Sequence, residues 1–202
     1  MGKLIAKTAA ITLACIIAAA LLLFGIFSLF FPSVMMSLTD SLGMEGACAS
    51  YTVSVYDKTG KTEDLALAVE RSYLARHYED AAKYGVIFLD SEDFSAFCSK
   101  EDEKAGSSAQ YLRGSSAQYY TGIVAVSLYE CSDAGAIDIA FAALGDAFPE
   151  NNAVIYLATA AMEKEDTEFC RQILDRLDSL SPVSEDADKL ADFQSALQEF
   201  CA

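Results

Sequence analysis

His77 is the single histidine of this 202-residue sequence, and it stands beside Tyr78 and Glu79 at the start of a helical pattern. An imidazole next to a thiol is the smallest arrangement that activates a cysteine nucleophile, because a base must take the thiol proton. The cysteines at 15, 48, 98, 131, 170 and 201 are all distant from His77 in sequence, so only the fold could bring one to it. No GxSxG, HExxH, GxGxxG or phosphate-binding loop is present, and the hydrolase, metalloprotease and nucleotide chemistries lack their local signatures. The acid clusters Asp90-Ser91-Glu92-Asp93 and Lys100-Glu101-Asp102-Glu103 lack the alternation and the glycine of a calcium loop and read as solvated helix ends. No catalytic residue, metal ligand or cofactor is expected, and the chain reads as non-enzymatic. An anchored hydrolase built on His77 is the competing class, to be tested by hydrolysis of generic esters or peptides that is lost on changing His77.

The cysteines also show no CxxC and no zinc-type pairing. Five lie beyond the apolar N-terminal block, an odd number that forbids complete intramolecular pairing. The last four are 33, 39 and 31 residues apart, close to a helical-repeat period. They are expected to be small buried residues in equivalent slots, with a disulfide between neighbouring units as the alternative.

Thr8 to Phe31 is 24 residues without a charge. As a helix it would be about 36 Å long, enough for a hydrocarbon core of about 30 Å with some tilt. Lys3 and Lys7 precede it and the next base is Lys58, so residues 1–7 are placed in the cytoplasm and the remainder across the cell membrane. A cleaved signal would have a shorter apolar region followed by a small-x-small site, whereas here Phe30-Phe31-Pro32 follows. A lipoprotein signal ending at Cys15 is opposed by the 16 further apolar residues beyond it. After Pro32 the chain carries 30 acids against 12 bases, a balance that repels phosphate backbones, so nucleic acid is not an expected partner.

Residues 32–46 form a juxtamembrane stretch that reads as a short amphipathic helix or as the start of the folded domain, and residues 47–202 form the domain. Within it Tyr51 to Tyr56 alternates like a strand, but a lone strand would have no partner, so a helix is expected. Thr62 sits where an N-cap belongs, with Glu63 and Asp64 at the positive helix end. Helices follow through Tyr78 to Leu89 and through Phe94 to Cys98. The Gly- and Ser-rich stretch 105–114 is the candidate internal break, and the pentapeptide SSAQY stands both at 107–111 and at 115–119. Helices then cover Ala117–Glu130 and Ala134–Ala147. A polar turn, Glu163-Lys164-Glu165-Asp166, joins two further runs, Val154 to Met162 and Phe169 to Leu177, each read as about four turns and closed by Pro182. A last helix over 184–200, begun by Ser184-Glu185-Asp186, reads as a polar cap on an open stack.

These hairpins resemble the tetratricopeptide repeat, a helix-turn-helix unit of about 34 residues. The residues that carry the resemblance are Val154, Leu157-Ala158 and Ala161, then Cys170, Leu174 and Leu177. Thr121, Val124-Ala125 and Leu128, then Ile137, Phe141 and Leu144, with Pro149 33 residues before Pro182, form the preceding unit. Ala49, Thr52-Val53, Tyr56, Gly60-Lys61, Leu65 and Val69 look like an earlier one. The family's signature tryptophan is absent. The resemblance implies an all-α solenoid of antiparallel hairpins with a concave face lined by the first helix of each pair. Here that face would hold Tyr119, Gly122, Val126, Tyr129, Asn152, Ile155, Thr159 and Met162, and would bind a protein or peptide. The carboxylate clamp of the family needs Lys and Asn on this face, where Asn152 is alone. The expected role is a membrane-anchored scaffold or adaptor. The alternative is an accessory subunit of a translocation, envelope-assembly or transport complex, in which Gly25 and its neighbouring alanines let the anchor pack on another helix.

Overall fold

The structure, a computed structural model, describes residues 2–113, 115–144, 148–149, 151–180 and 186–202. Among these residues it is helical throughout, with eleven helices and no strand. They are α1 (Gly2–Phe30), α2 (Pro32–Ser41), α3 (Glu45–Thr59), α4 (Thr62–Leu74), α5 (Tyr78–Leu89), α6 (Phe94–Arg113), α7 (Ser116–Glu130), α8 (Ala136–Ala142), α9 (Ala153–Glu163), α10 (Thr167–Leu177) and α11 (Ala187–Cys201).

Within α1, Ala10–Phe30 has a mean hydropathy of 2.7 and none of it is buried by the rest of the chain. It is long and apolar enough to cross a membrane. Pro32 at the first position of α2 has no N–H to lose there and sets the new helix direction after Phe31. Residues 32–46 belong to the folded body, because α2 buries Pro32, Met35 and Thr39 and packs along α3. The stretch around Tyr51 is helix rather than strand, inside α3. Two side chains of α3 reach the last turn of α1: Tyr51 Oη lies 2.8 Å from Ser28 Oγ, and Lys58 Nζ donates to the Leu29 carbonyl.

Four helices end in the same way. Gly43, Arg76, Ser132 and Glu165 each take a left-handed conformation just past α2, α4, α7 and α9. In each case that residue and the next donate back to two of the last carbonyls, as in His77 N to Ser72 O at 2.8 Å and Asp166 N to Ala161 O at 3.0 Å. This paired bonding satisfies carbonyls that the helix leaves open. Arg76 lies 33 positions after Gly43, and Glu165 lies 33 after Ser132. The polar tetrapeptide read as a turn is the last of these four, although α9 and α10 are 11 residues each, three turns rather than four.

Several element ends differ from the sequence reading. Lys61, not Thr62, stands at the N-cap of α4, and Thr62 is helical with its hydroxyl donating to Asp93 at 3.2 Å. Within the stretch read as an internal break, residues 105–113 are helical, α6 running unbroken through Arg113, and residue 114 lies outside those described. α8 stops at Ala142, short of Ala147, and residues 145–147 lie outside those described. Pro182 and the Ser184-Glu185 start of the last helix also lie outside them; α11 itself begins at Ala187.

One apolar core runs from Leu65 in α4 to Leu197 in α11. At its centre the fully buried Phe88 meets Phe94, Phe97 and Tyr120 edge-on, at centroid distances of 5.0, 5.4 and 5.0 Å. Two glycines let helices approach where a side chain would not fit. Gly85 of α5 faces Val124 of α7, and Gly122 of α7 faces the Tyr156 ring of α9. Ala125 and Ala158, the small residues picked out from the repeat pattern, are both fully buried.

Candidate partner-binding face

α7 and α9 pack side by side, and α4 reaches the same side of α7. Tyr119 of α7 donates its hydroxyl to Glu70 of α4 at 3.0 Å, and its ring stands at 74° to that of Tyr156 in α9, 6.2 Å away. Burial, together with the neighbouring Glu70 carboxylate, pushes the Tyr119 hydroxyl above its ordinary pKa. At the far end of α7, Tyr129 donates to Asp166 at 3.0 Å, and burial followed by that bond raises its pKa as well. Lys164 lies 5.1 Å from the centre of the Tyr129 ring while pairing with Glu130 at 2.6 Å.

Between these supports is an open cleft of about 260 Å³ lined by Tyr73, Asn151, Ile155, Tyr156, Thr159, Ala160 and Glu163. Ile155 and Thr159, both expected on the open face, are in it. Tyr119, Tyr129 and Met162 are half-buried, and the two tyrosine hydroxyls are engaged by carboxylates. The remaining three expected residues are interior. Gly122 and Val126 are buried, because α7 is covered on almost every side. Asn152 is fully buried: its Oδ1 accepts from Val154 N at 3.0 Å and Ile155 N at 3.1 Å, and its Nδ2 donates to Pro149 O at 2.7 Å. It is the N-cap of α9, a role its place before an apolar run already suggests.

Tyr156, outside the expected set, is brought to the cleft by the structure. The exposed face of α9 follows 155, 156, 159, 160 and 163, sharing 155 and 159 with the assumed stripe but turned from it by about 50°. Tyr73 has no counterpart in the expected set, since α4 was taken as the second helix of its pair. Gln118 was also missed. Its Nε2 donates to Ala143 O at 2.6 Å and its Oε1 accepts from Ala153 N at 2.9 Å, bracing the end of α8 to the start of α9. With Ser115 capping α7 and Tyr119 bonded to Glu70, the second SSAQY copy is a bracing element.

His77 lines a separate cleft of about 550 Å³ with Arg76, Tyr78, Glu79, Glu130 and Cys131. The fold therefore brings a cysteine to the same hollow as the only histidine. Its surroundings work against a thiolate: desolvation, then the carboxylates of Glu79, Glu130 and Asp133, raise the Cys131 pKa. His77 follows the αL turn at Arg76 and lays its ring over Gly46 of α3. Among the described residues no group of three or more His, Cys, Asp or Glu is placed to hold a metal ion. Comparison of the chain with known protein families, curated proteins and solved structures finds no match.

Proposed function

We propose that this chain is a single-pass membrane protein whose helical body lies outside the cytoplasm and binds a protein or peptide partner on the face of α4, α7 and α9. The observation that carries the reading is the Tyr73–Tyr156 cleft. It is an open hollow in which the Tyr156 ring is backed by Gly122 and by Tyr119, itself bonded to Glu70, so that wall is held before anything binds. A segment presenting one apolar side chain to the cleft, flanked by bases, matches Glu163 at its rim and the strongly acidic body.

The recurrence of one turn geometry at intervals of 33 residues supports a tetratricopeptide-like arrangement. In that arrangement the pairs are α2/α3, α4/α5, α7/α8 and α9/α10, with α6 inserted and α11 closing the stack. This frame differs from the one drawn from Gly60-Lys61, which paired α3 with α4, and it makes α4, α7 and α9 the first helices of their pairs.

Thr159→Arg fills the cleft from an exposed position without touching the core. Crosslinking in native membranes should capture a partner with the wild-type chain and lose it with this variant; equal capture by both would sink the proposal. Placement is tested with the native Cys131, which is exposed while Cys48, Cys98 and Cys170 are buried. A membrane-impermeant maleimide added to intact cells should label it, and labelling only after lysis would put the domain on the other side.

The accessory-subunit reading is favoured by one feature, Gly25 of α1, beside which a Cβ would meet nothing within 4 Å. If the anchor is the docking element, Gly25→Leu abolishes capture and Thr159→Arg leaves it intact.

A further inference from the structure

Cys201, in the last turn of α11, lies against the turn of α10 that carries the buried Cys170. Its Sγ lies 3.8 Å from Thr167 O, one turn before Cys170, and its carbonyl accepts from Arg171 Nη2 at 3.0 Å. Thr167 and Arg171 thus hold the last turn of α11 against the stretch of α10 that includes Cys170. α11 is the terminal helix of the stack and buries only Leu190 and Leu197. Its other attachments are few: Phe193 on Phe148 at 5.7 Å, Asp186 accepting from Phe148 N at 3.0 Å, and Gln194 donating to Asp178 at 2.9 Å. A helix buried by so few side chains is prone to local opening, and a cross-link there has much to restrain.

We infer that Cys170 and Cys201 form a disulfide that staples α11 to α10. The inference rests on the proposed placement of the domain outside the cytoplasm, where thiols meet oxidants. The step is thiol–disulfide exchange with a small-molecule or protein disulfide. The half-exposed Cys201 thiolate attacks the oxidant and expels one of its thiolates. The Cys170 thiolate then attacks Cys201 Sγ and expels the second. Two thiol protons and two electrons leave the protein, and the oxidant is reduced to two thiols. Cys170 acts second because it is fully buried; burial, then Cys201 and Asp166, push its thiol up to about 11.

The test uses the full-length protein in two arms. In the first, cells are lysed into iodoacetamide and peptides are mapped without reduction. In the second, reduced protein in detergent is titrated with oxidised glutathione and mapped in the same way. A 170–201 link in both arms is the expected result. A link in the second arm alone upholds the pair and overturns the placement; both residues alkylated in both arms overturns the pair. Cys201→Ser, a change at a half-buried position, should lower Tm by about 5 °C or more in oxidising buffer and leave it unchanged with reductant. An equal drop in both buffers would mean that Cys201 only fills space, and the staple would be dismissed.

Discussion

Gly122 and Tyr156 are two halves of one contact: a Cβ added at Gly122 would lie 2.8 Å from Cδ2 and 2.9 Å from Cγ of the tyrosine ring. The ring lies where the glycine leaves room, and the same ring walls the cleft. Gly122→Ala should therefore destabilise by about 1–3 kcal/mol through overpacking and move Tyr156 at once. Tyr156→Ala removes the obstacle, so the double variant should be less destabilised than the sum of the single changes. Chemical denaturation of all three variants measures the coupling; strict additivity would mean that the ring is not held by this contact.

A second close approach offers an internal comparison away from the cleft. A Cβ on Gly85 would overlap Cγ2 of Val124 outright, and Val124 is fully buried with few ways to move. Gly85→Ala is expected to cost about 2–3 kcal/mol, and Val124→Ala in the same chain should recover part of it. Partner capture, unlike stability, should respond to Gly122→Ala more than to Gly85→Ala.

Asn152→Ala removes both the cap of α9 and the donor to Pro149 O in a fully buried setting. A loss of about 2 kcal/mol is expected, the cap contributing about 1 and the orphaned carbonyl the rest. Asn152→Asp keeps the acceptor and loses the Pro149 bond, so it should fall between the two. Equal losses for Ala and Asp would show that the cap contributes nothing.

Tyr73, Tyr84, Tyr119 and Tyr129 all have pKa values raised above 10.0, with burial the first cause in each. A hydroxyl kept neutral by the fold contributes stability that is complete below the unfolded value and is lost as pH rises through the folded one. Circular dichroism should therefore be flat from neutrality to about pH 10 and fall above it. Tyrosinate absorbance at 295 nm would report these residues as the last to ionise until the chain unfolds. Cys98, pushed up to about 12 by burial and then by Asp102 and Glu101, should resist alkylation over the same neutral range.

The apolar block, the helix over 116–130 and the α9–α10 hairpin were legible because each has an uninterrupted pattern of its own. The wheel position of α9 was not. Asn152 and Tyr156 lie four apart and both look amphipathic, so only the burial of α9 against α7 decides which of them faces solvent. The turns on which the proposed helix pairing rests were hidden for a related reason. Arg76 and Ser132 adopt a conformation usually marked by glycine, whereas Gly60, the glycine that did mark a turn, stands at the junction of α3 and α4. α6 was cut short because its serines and glycine are weak helix formers, while the contacts of Phe94 and Phe97 with Phe88 that fix its first turns are invisible in a local window.

The bonds from Tyr51 and Lys58 to the last turn of α1 leave the body without a tether. A domain on a flexible stalk samples a hemisphere above the bilayer, whereas one bolted to its own anchor rides at fixed height and tilt. In the proposed placement such a mount would confine the search for a membrane-borne partner to two dimensions. The effective concentration of the α9 cleft would then be set by geometry rather than by linker length, and rotation of α1 about its axis would swing the cleft with it like a vane on a spindle.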